Sequence, residues 1–486
     1  MKNLSINLMR FVVVLLLAIF LWTCEDSEET FDPINPNLSV DNVIGTIESA
    51  SRTLLGAERQ LSLTLNEFVA VGAIASDNYV NTRTFFNQNF DALTIATTDA
   101  DVNALQFDIA RLRALTTLAL DEVGPADPDY TSEQESGYFF LRGMAYLYGG
   151  SYFAVLPAEA GGNAVPAADH LANAVADFTS AIQADGTGTY GLAAHIGRLR
   201  ANYLLGNKTE AVSDANAIIS AAPDFLYSAN FDGINTSAAD NNTMQDALFD
   251  RGSFDDLQPL PTLDFLDPKY NGSDPNFDFP TPVVKVEEAH FILAEAALSE
   301  GRLEDAKDIM RDIIGLVATR PTATFDDRVE GRTHLAPGSR PDTSFVMVAP
   351  GPDRPLESGL VLDRGAEEVT VPTVSGTSYD NADIDAIGDI DFAYESLYRM
   401  RQEVFIAEGM RFIDLGLRMP VSQNEADANP NIRDTDQQAV IPPFLASAGD
   451  IDAIDYDAAA GTATVLVNVN RLISENRTSA FVAPFE

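Results

Sequence analysis

From Asp41 onward, apolar residues recur at steps of three and four. Ile44, Ile47, Leu54, Leu61, Leu65, Phe68 and Gly72 form one stripe, which predicts a long amphipathic helix. Leu105, Ile109, Leu112, Leu115 and Leu118 predict a second helix over about 101–123, and two more follow over about 132–149 and 166–184. The periodicity fails between 228 and 282, where Asp, Asn, Gly and Pro dominate and aromatic residues are interspersed. It fails again between 325 and 390, where short Val-rich runs suit brief strands. Connections of this length in a compact protein usually carry function. Helical spacing returns over 394–418, and the chain closes with a short apolar run, Val465 to Val469.

An internal repeat lies within this pattern. ANYLLGNKTEA over 201–211 recurs 95 residues later as AALSEGRLEDA over 296–306, with Ala, Gly and Ala in register. Ile218 and Ile219 are answered by Ile313 and Ile314. The first Ala lets two helices approach, Gly ends the first helix, and the second Ala opens the packed face of the next. This is the grammar of tetratricopeptide (TPR) repeats.

Composition narrows the functional classes. Across 486 residues, 73 acidic side chains face 30 basic ones, for a formal charge of −43, and only five of the basic residues are lysines. Such a surface repels phosphate backbones and anionic bilayers, which argues against nucleic acid as a partner. It suits a high-salt environment, where screening removes self-repulsion. The 46% hydrophobic content supplies a large core.

The only cysteine, Cys24, excludes an intramolecular disulfide. It follows Lys2, Arg10 and an unbroken apolar run from Phe11 to Trp22, the layout of a secretory signal over 1–23. The sequence LWTC over 21–24 resembles a bacterial lipoprotein box, with Trp22 in place of the usual small residue. It implies lipidation of Cys24 and anchoring in a bilayer through acyl chains. An acidic, Pro/Asn-containing tether over 24–40 follows.

Three segments together resemble the SusD/RagB family of nutrient-binding outer-membrane lipoproteins: YFFLRGMAYLYG over 138–149 followed by Pro157, VEEAHFILAEA over 286–296, and RQEVFIAEGMRFIDL over 401–415. The resemblance implies an all-α fold: a TPR-like scaffold of four helical pairs over 41–320 with inserted loops, and a loop-rich, mostly α region over 321–486 carrying a signature helix at 394–418. It further implies capture of an oligosaccharide or other large nutrient at the cell surface, as a lid on a SusC-like TonB-dependent transporter. Within the signature, Glu408, Arg411 and Asp414 are expected to be structural, with Glu408 and Arg411 three apart and able to pair.

Catalysis finds little support. The four histidines are scattered, no zinc-binding pair or nucleophile elbow is present, and a glycosidase would need two carboxylates facing each other across a cleft. No cofactor is expected. Asp383, Asp385 and Asp389 resemble half of a calcium loop, but Ile387 and Tyr394 occupy ligand positions, so an acidic turn is the better reading. Ligand binding needs aromatic faces and planar polar groups. Asp77, Asn78, Tyr79, Arg83, Phe85, Phe86 and Asn87 form the richest such cluster, and Tyr270 and Phe277 a second. A rival function is a TPR-type scaffold that binds protein segments during envelope assembly.

Overall fold

The computed structural model describes residues 44–81, 87–232, 241–249, 257–267, 269–270, 276–326, 341–363 and 368–486. Eight of its helices pack as four consecutive pairs: α1 (Ser49–Ile74) with α2 (Ala100–Leu118), α3 (Ser132–Tyr152) with α4 (Ala167–Asp185), α5 (Thr189–Leu204) with α6 (Lys208–Ala221), and α7 (Glu287–Ser299) with α8 (Leu303–Val317). Helix α8 shows how the pattern drives this. Ala306, Met310, Ile313 and Val317 are buried at steps of three and four, while Glu304, Asp305, Asp308 and Asp312 face water. The repeat glycines Gly206 and Gly301 follow α5 and α7 with φ of +74° and +72°, a left-handed turn that glycine adopts without steric penalty.

The strands are short and serve as clips. Leu226–Ala229 pairs antiparallel with Thr281–Lys285, Thr322–Phe325 pairs with Val369–Pro372, and Met347–Ala349 joins Thr462–Val465 and Ile454–Asp457 in a three-stranded sheet. The fold is all-α in character, and among the described residues the main hydrophobic core runs from Leu54 to Phe485, beside two smaller clusters. Among the described residues, no helix is long and apolar enough to cross a membrane.

Two boundaries differ from the sequence pattern. Helix α1 begins at Ser49, not near 41, because Gly45 and Glu48 take positive φ and turn the chain ahead of it. The signature segment is broken: α9 (Ile390–Val404) stops, a turn follows, and α10 (Met410–Asp414) resumes. Tertiary partners satisfy the carbonyls released at this break. Lys285 Nζ donates to the Val404 carbonyl at 2.7 Å, Lys269 Nζ to Ile406 at 3.0 Å, and the Tyr270 hydroxyl to Ala407 at 2.7 Å.

Candidate functional site

Buried ion pairs tie the signature segment to the scaffold. Glu408 does not pair with Arg411, as their spacing suggested; its carboxylate receives both Lys269 and Lys285, the second at 2.6 Å. Arg411 instead reaches Asp77 beyond the end of α1, with Nε and Nη2 donating at 2.6 and 2.8 Å. Asp414 accepts from Arg401 Nε at 2.8 Å, and Phe412 stacks on Tyr152 at 4.4 Å. Gly409, with φ +76°, lies against Phe68 so closely that a Cβ would fall 2.5 Å from its ring. The turn between α9 and α10 thereby seats a helix end against α1 and α3.

This arrangement relocates several residues expected to contact ligand. Asp77, Asn78 and Tyr79 are buried, and Asp77 and Asn78 also accept from Gln402 Nε2 at 3.0 Å each. Tyr270 is wholly buried, with its hydroxyl on the Ala407 carbonyl. Asn87 is buried at the start of a short helix, Asn87–Asp91. Phe277 is half-buried and its carbonyl accepts from Asn242 N. Cys24, Arg83, Phe85 and Phe86 lie outside the described residues. Asp385 binds Arg311, while Asp383 and Asp389 cap helices, and no cluster of three metal-ligating side chains occurs among the described residues.

The surface suited to a ligand is a groove of about 280 Å³ bounded by α9, the 350–357 loop, the 378–386 segment and the start of α11 (Val469–Glu475). Phe392, Glu395 and Arg399 project from one face of α9 at steps of three and four, opposite core residues such as Ala393, Leu397 and Met400. The half-buried rings of Tyr379 and Phe392 line the groove, and each is covered by a guanidinium: Arg399 at 5.5 Å from the Tyr379 centroid and Arg354 at 5.0 Å from Phe392. Arg399 is held by a bidentate pair to Glu357 at 2.9 and 2.6 Å, and Arg354 by Glu395, which also accepts from Asn468 Nδ2 at 2.8 Å. Burial disfavours the Arg399 charge, yet its carboxylate partners hold its pKa above the ordinary arginine value. Burial pushes the Tyr379 phenol up to about 12, so it remains a neutral hydroxyl.

The groove thus offers matched charges, flat rings and amides, with no excess cation. Asn470 adds an open valence: its Nδ2 donates to Gln402 Oε1 at 2.8 Å, while its buried Oδ1 has no partner among the described residues. Through Gln402, the groove wall rests on Asp77 and Arg411. These groove residues were not legible in the sequence. Their one local signal was the polar and aromatic face of α9. Another cavity, beside α1, is lined by Leu55, Glu58, Tyr227, Phe231 and Asp232; of its two carboxylates, Glu58 already accepts the Tyr190 and Tyr227 hydroxyls at 2.7 and 3.4 Å.

No family model and no curated protein matches the chain. Solved structures do match it in fold. A SusD-like protein from Bacteroides fragilis NCTC 9343 aligns over 82% of this chain and 99% of its own, with a TM-score of 0.53 and 10% identity. A SusD superfamily protein from Parabacteroides distasonis ATCC 8503 aligns over 79% and 98%, with a TM-score of 0.52 and 11% identity. A protein from Bacteroides vulgatus ATCC 8482, described as sugar binding, aligns over 79% and 97%, with a TM-score of 0.52 and 13% identity. In fold, this chain is similar to SusD-like proteins.

Proposed function

We propose that the protein belongs to the SusD/RagB family and is a capture protein that binds an oligosaccharide without transforming it, delivering it to a SusC-like TonB-dependent transporter. Lipidation at Cys24 would hold it to the outer membrane. The observation that carries this reading is the fold shared, over about four-fifths of the chain, with SusD-like structures, one of them described as sugar binding. Fold alone hosts many activities, so the groove supplies the chemical argument. Tyr379 and Phe392 offer ring surface to sugar C–H faces, Asn468 and Asn470 offer amides to hydroxyls, and carboxylates neutralise the arginines.

Three measurements test the proposal. Pull-down of the full chain from a native envelope should recover a large β-barrel, and a neutral-glycan array should give saturable binding that is weakened by Tyr379→Ala. Recovery of soluble assembly partners without a barrel would favour the scaffold function. Mass spectrometry should find acyl chains on Cys24, with Cys24→Ser releasing the protein from the membrane fraction.

A further inference from the structure

A cavity of about 370 Å³ lies beneath residues 478–486 where they cross α5 and α10, and it shares no lining residue with the groove. Arg418 lines it. Reciprocal backbone hydrogen bonds with Val440, at 3.0 and 2.8 Å, fix the position of this residue. Its Nη1 donates to the Leu417 carbonyl at 2.8 Å, and among the described residues it forms no ion pair. Burial lowers its pKa to about 10, which still leaves the guanidinium charged at neutral pH.

A partly buried arginine without a counter-charge is costly, and it is conspicuous in a chain with 73 acidic residues. The acids that line the cavity are committed elsewhere: Asp414 to Arg401 at 2.8 and 3.0 Å, and Glu486 to the Tyr394 hydroxyl. The hydroxyls of Tyr203 and Tyr398 are directed to Glu295 at 2.7 and 3.0 Å. Ser479 Oγ, also in the lining, is buried with no hydrogen-bond partner among the described residues. Leu204, Ile413 and Val482 add apolar surface to the wall, beside Thr478.

We propose that this cavity is a second binding site, which takes a small organic oxyanion, a carboxylate or phosphate on a body of monosaccharide size, with Arg418 as its counter-charge and Ser479 as an added donor. The planar fork of arginine suits either group, and the volume exceeds the needs of an inorganic ion alone. The site is independent of the groove and of the transport reading.

Calorimetric titration of the full chain with D-glucuronate, glucose 6-phosphate and glucose is the test. At least one of the two acids should bind at millimolar concentration or below, and glucose should not bind here; the stronger acid identifies carboxylate or phosphate as the preferred group. Arg418→Gln should weaken that acid by at least about tenfold, and Ser479→Ala by several-fold. Without ligand, Arg418→Gln should melt no lower than wild type, because it removes an uncompensated charge. Failure of both acids to bind, glucose binding that Arg418→Gln weakens as much as it weakens the acids, or acid affinity that survives Arg418→Gln would overturn the site. If Arg418→Gln does not fold, unchanged affinity in Ser479→Ala overturns it instead.

Discussion

Asp77 and Arg411 lie 334 residues apart in sequence and form a bidentate ion pair at 2.6 and 2.8 Å, both side chains almost wholly buried. The pair locks the loop after α1 to the start of α10 and underpins the wall of the groove through Gln402. Removing one partner leaves the other charge stranded. Asp77→Leu should therefore cost about 3–5 kcal/mol in urea unfolding, and Arg411→Met a similar amount. The double variant Asp77→Leu/Arg411→Met should recover much of that loss. Additive losses would show that the two charges do not act as a pair.

Gly409 is the tightest point of the same junction. Alanine there would combine a left-handed backbone, φ +76°, with a Cβ 2.5 Å from the Phe68 ring and 3.0 Å from its carbonyl. Gly409→Ala should lower stability by at least about 2 kcal/mol, visible as a drop in melting temperature. Gly388, whose Cβ would meet nothing within 4 Å, should tolerate alanine.

Tyr379 and Tyr79 should separate binding from folding. Tyr379 lines the groove, so Tyr379→Ala should weaken a bound oligosaccharide by about 1–2 kcal/mol while the melting curve barely moves. Tyr79 is fully buried, and Tyr79→Ala should cost about 3–5 kcal/mol of stability. The reverse pattern would place the ligand at the end of α1 instead.

Glu295 provides a pH test of the core. Burial raises its carboxyl to about 7 from an ordinary 4.5, despite bonds from Tyr203 and Tyr398 that favour the ionised form. Between these values the folded state holds more protons than the unfolded state. This group's contribution is thus complete below about pH 4.5 and is lost as pH rises through 7. The slope can reach about 1.4 kcal/mol per pH unit. Glu295→Gln should abolish that slope, so wild type and variant should diverge across the window in chemical denaturation. A pH-independent difference would remove Glu295 as the titrating group.

Local order was readable in the sequence because it rests on near neighbours. The stripes of α1 and α2, the Ala–Gly–Ala repeat and the capped turns at Gly206 and Gly301 each depend on residues within a turn or two. Lysine placement was not readable in this way. Three of the five lysines, Lys269, Lys285 and Lys307, are buried against carbonyls.

The groove illustrates the same limit. Asp77, Asn78 and Tyr79 carry carboxylate, amide and aromatic groups suited to a ligand, but Arg411 and Gln402 hold Asp77 and Asn78 in the interior, and no spacing rule spans more than three hundred residues. Composition and periodicity determined the helical pairs and the acidic surface, because burial of an apolar stripe depends on sequence spacing. Only the tertiary structure decided which polar side chains face water, a partner or a cavity, because those choices depend on charges and carbonyls brought together from distant parts of the chain.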